Sequence, residues 1–309
     1  MRILTVGAGA TGGYYGGRLA AAGCDVTFLV RPRRQRQLAE RGLAIESPLG
    51  DVAVRDPKTV LASALAAPFD AILLSAKAYD LDDAIDSFAP AVGPDTMILP
   101  ILNGMRHLDA LDARFGRERV LGGQCVIAST LTEDGTIVHL NRIHALAFGE
   151  RDGARSARVV ALDRELQRGG FDARLSEDIL QDMWEKWVFL ATLAGSTCLM
   201  RAAIGDILAA PGGREFLVGL FEECRAIAAT HNRAPRARAA DTALGTLTQE
   251  GSALTASMLR DLERGARIEA DHIVGDLLRR RAADAAPVRS LLALAYTHLK
   301  AYEARSARA

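Results

Sequence analysis

The pattern of apolar and polar positions splits the chain into two textures. At the start, Arg2-Ile3-Leu4-Thr5-Val6 reads as a short strand that breaks into glycines and continues as a helix over residues 14–22, stopped by Gly23. A second β-rich run over residues 26–30 completes a βαβ unit, whose crossover is expected to be right-handed. Continuous apolar runs at 71–75, 97–102 and 120–128 fit strands covered on both faces, as in a parallel sheet, with helical stretches at 33–41 and 80–89 between them. Further on, the alternating runs 127–132 and 136–140 flank Glu133-Asp134-Gly135 and predict a hairpin. A helix near 155–168 and a short strand at 171–175 end this part.

Past residues 176–178 the β-branched runs nearly vanish and helical periodicity takes over, with helices expected at 179–200, 213–231, 257–263, 267–281 and 288–303. The predicted division is a first domain over residues 1–177 and an all-helical second domain over 178–309. Arg233, Arg236 and Arg238 fall in what reads as a loop, where solvated surface is their expected role.

Composition narrows the function. A length of 309 residues suits two domains of ~150 residues each. The 38 basic and 38 acidic side chains cancel, so no net field attracts nucleic acid or an anionic membrane, and the expected partner is a small molecule or another subunit, as in a homodimer. Cys24, Cys125, Cys198 and Cys224 lie far apart with no C-x-x-C pair, which predicts reduced thiols, a cytoplasmic setting and no zinc knuckle. The six histidines show no metal-ligand spacing, so no metal is expected and none of them receives a role beyond surface or packing. The uncharged run 187–200 is shorter than the ~20 residues of a membrane span, and the N-terminus lacks the apolar centre of a signal peptide.

The chemistry begins at Gly7-Ala8-Gly9-Ala10-Thr11-Gly12, a G-x-G-x-x-G placed after a strand and at the opening of a helix. In that context Gly7 makes the tight turn, Gly9 lets the backbone approach a pyrophosphate, and Gly12 allows close helix–strand packing. This predicts a Rossmann-type, doubly wound α/β domain with phosphates on the helix N-terminus. At the end of the second strand, where an acid would hold a ribose 2′-hydroxyl, the chain reads Val30-Arg31-Pro32-Arg33-Arg34. Arg31, helped by Arg33 or Arg34, suits a 2′-phosphate, which favours NADP(H) over NAD(H).

Several ordered stretches together resemble the ketopantoate reductase (2-dehydropantoate 2-reductase) family: the N-terminal fingerprint, Lys77-Ala78-Tyr79-Asp80, Leu102-Asn103-Gly104, Trp184-Glu185-Lys186, Ser257-Met258-Leu259-Arg260-Asp261 and Glu269-Ala270-Asp271. The resemblance spans essentially the whole chain. It implies NADPH-dependent reduction of a 2-oxo acid to a 2-hydroxy acid, most simply ketopantoate to pantoate, with Lys186 as catalytic acid and Glu269 as its acidic partner. It also implies Asn103 as a donor on both the cofactor and the substrate side, Ser257 on the substrate carboxylate and Lys77 on the cofactor. On one unbroken helix Ser257 and Glu269 would stand ~18 Å apart, so a break is required, and Gly265 is placed to supply it.

The chain departs from the family pattern at four positions, where Leu190, Ala194, Ile204 and Leu254 stand in place of asparagines. An apolar wall predicts a less polar substrate, with Thr197 and Thr255 as candidate replacements for the missing donors. Three readings stay open: a ketopantoate reductase with a rearranged pocket, an NADPH-dependent reductase of another 2-oxo acid or less polar carbonyl, and a non-catalytic NADP(H)-sensing protein.

Overall fold

The computed structural model describes residues 1–282 and 290–308. The chain divides into two compact units, Met1–Leu102 with His107–Leu180, and Asn103–Arg106 with the chain from Gln181 onward. The division falls three residues past the expected boundary and assigns the Asn103–Arg106 loop to the second unit.

The first unit runs β1 (Arg2–Val6), α1 (Ala10–Ala21), β2 (Asp25–Leu29), α2 (Pro32–Arg41), β3 (Leu43–Glu46), β4 (Val52–Val54), β5 (Thr59–Val60), β6 (Ala71–Leu74), α3 (Leu81–Phe88), β7 (Met97–Pro100), α4 (Arg106–Phe115), β8 (Gly122–Leu131), β9 (Ile137–Gly149), α5 (Ala157–Gln167) and β10 (Asp172–Leu175). Five strands make a parallel sheet in the order β5-β2-β1-β6-β7. Every residue of β6 and β7 is buried, as expected of strands covered on both faces. Each fully buried Leu or Ile there contributes about 1.5–3 kcal/mol relative to exposure.

A second sheet, β10-β9-β3-β4 with β8 on β9, was not expected. The apolar run at 120–128 predicts one more strand of the parallel sheet. Instead only Val120 pairs with the first sheet, at Ile98, and from Gly122 the chain crosses into an antiparallel ladder with β9. The predicted hairpin is present, turning through Asp134-Gly135, but its strands run back to Gly122 and on to Gly149. Buried β3 residues Leu43 and Ile45 join Tyr14, Tyr15, Ile137 and Phe148 in one core.

The second unit contains α6 (Ile179–Met200), α7 (Ile204–Ala209), α8 (Gly213–Thr230), α9 (Ala237–Leu247), α10 (Ser257–Glu263), a π-helical turn (Asp271–Gly275), α11 (Asp276–Arg279) and α12 (Leu291–Ser306). α7 and α9 were not predicted, and residues 288 and 289 of the helix expected at 288–303 lie outside the described residues. α10 ends in a Schellman turn at Gly265, where the Ala266 N–H donates to the Asp261 carbonyl at 2.8 Å and Gly265 N–H to Leu262 at 3.2 Å. The helix expected over 267–281 therefore starts only at Ala270 and opens into the π turn. Among the described residues, no helix is long and apolar enough to cross a membrane, and no group of three or more His, Cys, Asp or Glu is arranged to hold a metal ion.

Candidate active site

The glycine-rich turn leaves β1 at Val6 and enters α1 at Ala10. Gly7 adopts φ +91°, which a residue with a Cβ rarely takes. A Cβ on Gly12 would lie 2.6 Å from Ser75 Oγ and closer still to the Gly7 carbonyl, so helix and strand meet only because it is absent. A Cβ on Gly9 would meet no protein atom within 4 Å, so its side of the turn is open to a ligand. Gly9 is the extended N-cap of α1 and supplies no side-chain cap, so the first N–H groups of a twelve-residue helix are left for an anion. This backbone cradle fits the diphosphate of a dinucleotide.

Arg31 is the N-cap of α2, with Pro32 following at the first helical position. Its exposed guanidinium lies 3.5 Å from Asp80, the last residue of the Lys77-Ala78-Tyr79-Asp80 stretch. Arg34, expected with Arg33 as a candidate helper of Arg31, is anchored through two of its nitrogens. Its Nε donates to the Ala8 carbonyl at 3.0 Å and its Nη1 to Gly135 at 3.0 Å, tying the glycine-rich turn to the β8–β9 hairpin. Burial lowers the Arg34 pKa, and its Nη2 is enclosed without a hydrogen-bond partner. Arg33 is exposed, as is Lys77, which caps the short turn Ala78–Asp80 just past β6.

In the second unit, Lys186 lies on α6, where its Nζ donates to Asn103 Oδ1 at 3.0 Å. Because an ammonium accepts nothing, the oxygen end of the Asn103 amide must face it, and the amide N–H groups remain as donors. Three further contacts seat this pair. Trp187, fully buried, donates its indole N–H to the Ile273 carbonyl at 2.8 Å. Gly104 sits at φ +76° with its missing Cβ only 2.7 Å from the His272 carbonyl. The His272 ring hydrogen-bonds the Asn103 backbone. The sequence alone gives His272 no role beyond packing, and its place two residues past Glu269-Ala270 is the signal that points to it.

Glu269 is half-buried, and its carbonyl receives the His272 and Ile273 N–H groups that start the π turn. Asp271 is turned to α12, where Tyr296 and Lys300 bind its carboxylate; burial opposes ionisation, but these partners hold it below the usual range. Ser257 opens α10 and stands exposed. Thr197 departs from expectation: fully buried, its hydroxyl donates to the Leu193 carbonyl at 2.7 Å and accepts from Ala256 N–H at 3.4 Å. A threonine deep in a helix satisfies its hydroxyl on the preceding turn, so Thr197 holds the entry to α10 and does not offer a replacement donor.

Of the four apolar departures, Ala194 and Ile204 are buried and Leu190 and Leu254 half-buried. The Ile204 N–H donates to the Leu254 carbonyl at 3.0 Å, so two of them are neighbours. Arg236 is exposed, as its sequence reading expects, and also binds Asp182 and Glu185 on α6, while Glu185 accepts from the Arg236 backbone N–H at 2.9 Å. Burial would raise the Glu185 pKa, but the guanidinium overrides it and keeps the carboxylate ionised. Arg238 lies within α9. All four cysteines are buried thiols outside any disulfide, and burial pushes Cys198 and Cys224 up to about 12.

These features are those of a Rossmann-type α/β unit and a helical unit in which a lysine and an asparagine are paired. Two family models match the chain: ketopantoate reductase PanE/ApbA over residues 3–153 and its C-terminal domain over 178–303. The chain belongs to the ketopantoate reductase family and is an oxidoreductase. It is 38% identical over 306 residues to the uncharacterized oxidoreductase YkpB of Bacillus subtilis, covering 98% of this chain and 99% of that protein. A 2-dehydropantoate 2-reductase from Geobacter metallireducens is similar in structure, with TM-score 0.87 and 28% identity over 97% of this chain and 99% of its own. A D-mandelate dehydrogenase solved with NADH and anilino(oxo)acetate shares the fold at TM-score 0.86 and 19% identity, over 99% of this chain and 100% of its own.

Proposed function

We propose that this protein is an NADPH-dependent reductase of a 2-oxo acid whose side chain is less polar than that of ketopantoate. The observation that carries the reading is the Lys186 Nζ bond to Asn103 Oδ1 at 3.0 Å, a cation and an amide donor held together by the second unit. The glycine-rich turn Gly7–Gly12 and Arg31 would hold the dinucleotide, whose chemistry when bound would be delivery of a hydride to the carbonyl carbon. As the C=O π pair moves onto oxygen, Lys186 stabilises the forming alkoxide and gives it a proton, leaving a 2-hydroxy acid and a neutral lysine. Asn103 fixes the direction of one ammonium N–H and offers its own amide N–H groups to the substrate. Glu269 is assigned the return of Lys186 to its charged form, and Ser257 a hydrogen bond to the substrate carboxylate.

Arg31 supports the choice of NADPH, because an exposed guanidinium after β2 can bind a 2′-phosphate where an acid would repel it. Lys77 is assigned to the cofactor by its place just past β6. The buried cysteines, none of them in a disulfide, fit the reducing cytoplasm. Leu190 and Ala194 follow Lys186 by one and two helical turns, and such a wall favours apolar side chains by ~0.8 kcal/mol per buried CH₂. The D-mandelate dehydrogenase shows that this fold accommodates a substrate other than ketopantoate.

The test is oxidation of NADPH and of NADH across 2-oxo acids that include ketopantoate, its des-hydroxy analogue, branched aliphatic acids and phenylglyoxylate. The reading expects NADPH and the apolar acids to give the highest kcat/KM. Strong preference for ketopantoate over its des-hydroxy analogue would overturn the substrate assignment, and binding of NADPH with no turnover of any acid would favour a sensing role.

A further inference from the structure

We propose that His272 is a positioning residue that sets Asn103 against Lys186 by clamping the Asn103-Gly104 backbone onto the π-helical turn. This inference rests on the reading of Lys186 and Asn103 as the catalytic pair.

The clamp has three parts, all within the second unit. The His272 ring bonds the Asn103 backbone, and this contact raises the ring's affinity for a proton, as a ring N–H donating to a carbonyl does. The His272 carbonyl lies so close to Gly104 that a Cβ there would sit 2.7 Å from it and 3.0 Å from His272 Cδ2, so the loop is pressed flat on the residue. The next carbonyl along the turn, Ile273, is held by the indole N–H of Trp187, the neighbour of Lys186. The π turn thus grips Asn103 through one residue and the Lys186 helix through the next.

The His272 surroundings suit a neutral donor. It is 5% exposed, and burial lowers its pKa below the usual range; Glu269 and Asp276 act against that shift and Arg106 reinforces it. A ring that stays neutral near pH 7 still carries one N–H for the Asn103 contact. Asn103 belongs to a short loop at the end of an apolar run, and nothing in residues 103–106 alone would direct its amide. A displacement of about 1 Å in such a loop can cost up to ~100-fold in rate.

The experiment is a double-mutant cycle with steady-state kinetics on the best substrate, together with NADPH titration and thermal unfolding. His272→Phe keeps a ring but removes the donor, and is expected to lower kcat by about 10- to 100-fold with little change in NADPH affinity. His272→Gln restores an N–H and is expected to recover much of that loss; it also keeps the test available if the phenylalanine variant fails to fold. In the Asn103→Ala background His272→Phe should cost no more than about twofold further, because its action runs through Asn103. Full additivity of the two losses, or His272→Gln behaving no better than His272→Phe, overturns the proposal. Wild-type turnover by Asn103→Ala or Lys186→Ala would instead overturn the catalytic pair itself, which separates the two failures.

Discussion

The glycine-rich turn and the Lys186–Asn103 pair are built in opposite ways. The turn is six consecutive residues, and its function lies in backbone: a φ +91° at Gly7, an open flank at Gly9 and a helix N-terminus. The pair is drawn from segments 83 residues apart, and side chains do everything. A backbone site is specified by what its residues lack, so almost any added atom damages it. A side-chain site depends on remote elements, such as the π turn and Trp187, to aim groups that could point elsewhere. The first kind should fail through binding and stability, and the second through rate.

The largest expected effect falls on the side-chain site. Lys186→Ala should lower kcat by at least ~100-fold, the low end of what general acid catalysis supplies, with NADPH affinity nearly intact. Single-turnover kinetics beside fluorescence titration would check this; loss of nucleotide binding in that variant would erase the contrast between the two sites.

Gly12→Ala probes the backbone site in the reverse sense. Its Cβ would press on the Gly7 carbonyl and Ser75 Oγ, costing roughly 1–3 kcal/mol and distorting the turn. A lower Tm and weakened NADPH binding are expected, while the lysine–asparagine machinery is left as it was. Calorimetry and titration on one preparation decide it.

Arg31→Ala tests the one part of the first unit where a side chain is asked to select. Loss of a charge-assisted bond of about 1.5–3 kcal/mol predicts ~10- to 100-fold weaker NADPH binding with NADH almost unchanged. Equal losses for both nucleotides would assign Arg31 to the ion pair with Asp80 alone.

A smaller shift is expected from Leu190→Asn combined with Ala194→Asn, which should move the kcat/KM ratio several-fold toward ketopantoate over its des-hydroxy analogue if these positions face the substrate. An unchanged ratio would show that the two side chains only fill the core.

The mildest effect concerns pH. Tyr14 on α1 hydrogen-bonds the buried His144 at 2.8 Å and His139 at 3.3 Å, and the Arg18 guanidinium lies over its ring. Burial pushes the His144 pKa down, with Arg18 and His139 adding to the effect against Asp172. The folded unit therefore prefers the neutral ring, and the unfolded chain binds the proton more readily. Stability from this source is complete above the ordinary pKa of ~6.5 and is lost as the pH falls through that value toward the lower folded one. Thermal unfolding between pH 7.5 and 5 should show a falling Tm, less steep in His144→Asn.

Part of this was legible in sequence because it is encoded over a few neighbouring residues. The strand–glycine–helix order located the dinucleotide cradle, Asp134-Gly135 located the hairpin, and Gly265 located the end of α10 by a Schellman turn that needs only local bonds. The periodicity of 179–200 placed Lys186 on a long helix, while the family motifs offered Asn103 as a donor to cofactor and substrate and left its bond to Lys186 to the structure. None of those readings required knowing what lies across the fold.

What only the tertiary structure decided depends on long-range partners that no local window contains. β3 is four residues long and acquires meaning by pairing Ile45 with Ile137, 92 positions away. Arg236 is the exposed surface residue its sequence suggests, but its ion pairs with Asp182 and Glu185 exist only because α6 presents them, and Arg34 reaches the Ala8 and Gly135 carbonyls, 26 and 101 positions away. Thr197 resembled a substrate donor, but a buried hydroxyl without water must bond the nearest carbonyl, here Leu193. The π turn is the clearest case, since its sequence reads as ordinary helix. Its carbonyl at Ile273 is claimed by an indole from another helix, and its His272 meets a loop 168 residues upstream. Propensity fixes a helix or a turn through contacts within about four residues, whereas the direction of a catalytic side chain is set by whatever packs against it, and that becomes defined only when the chain has folded.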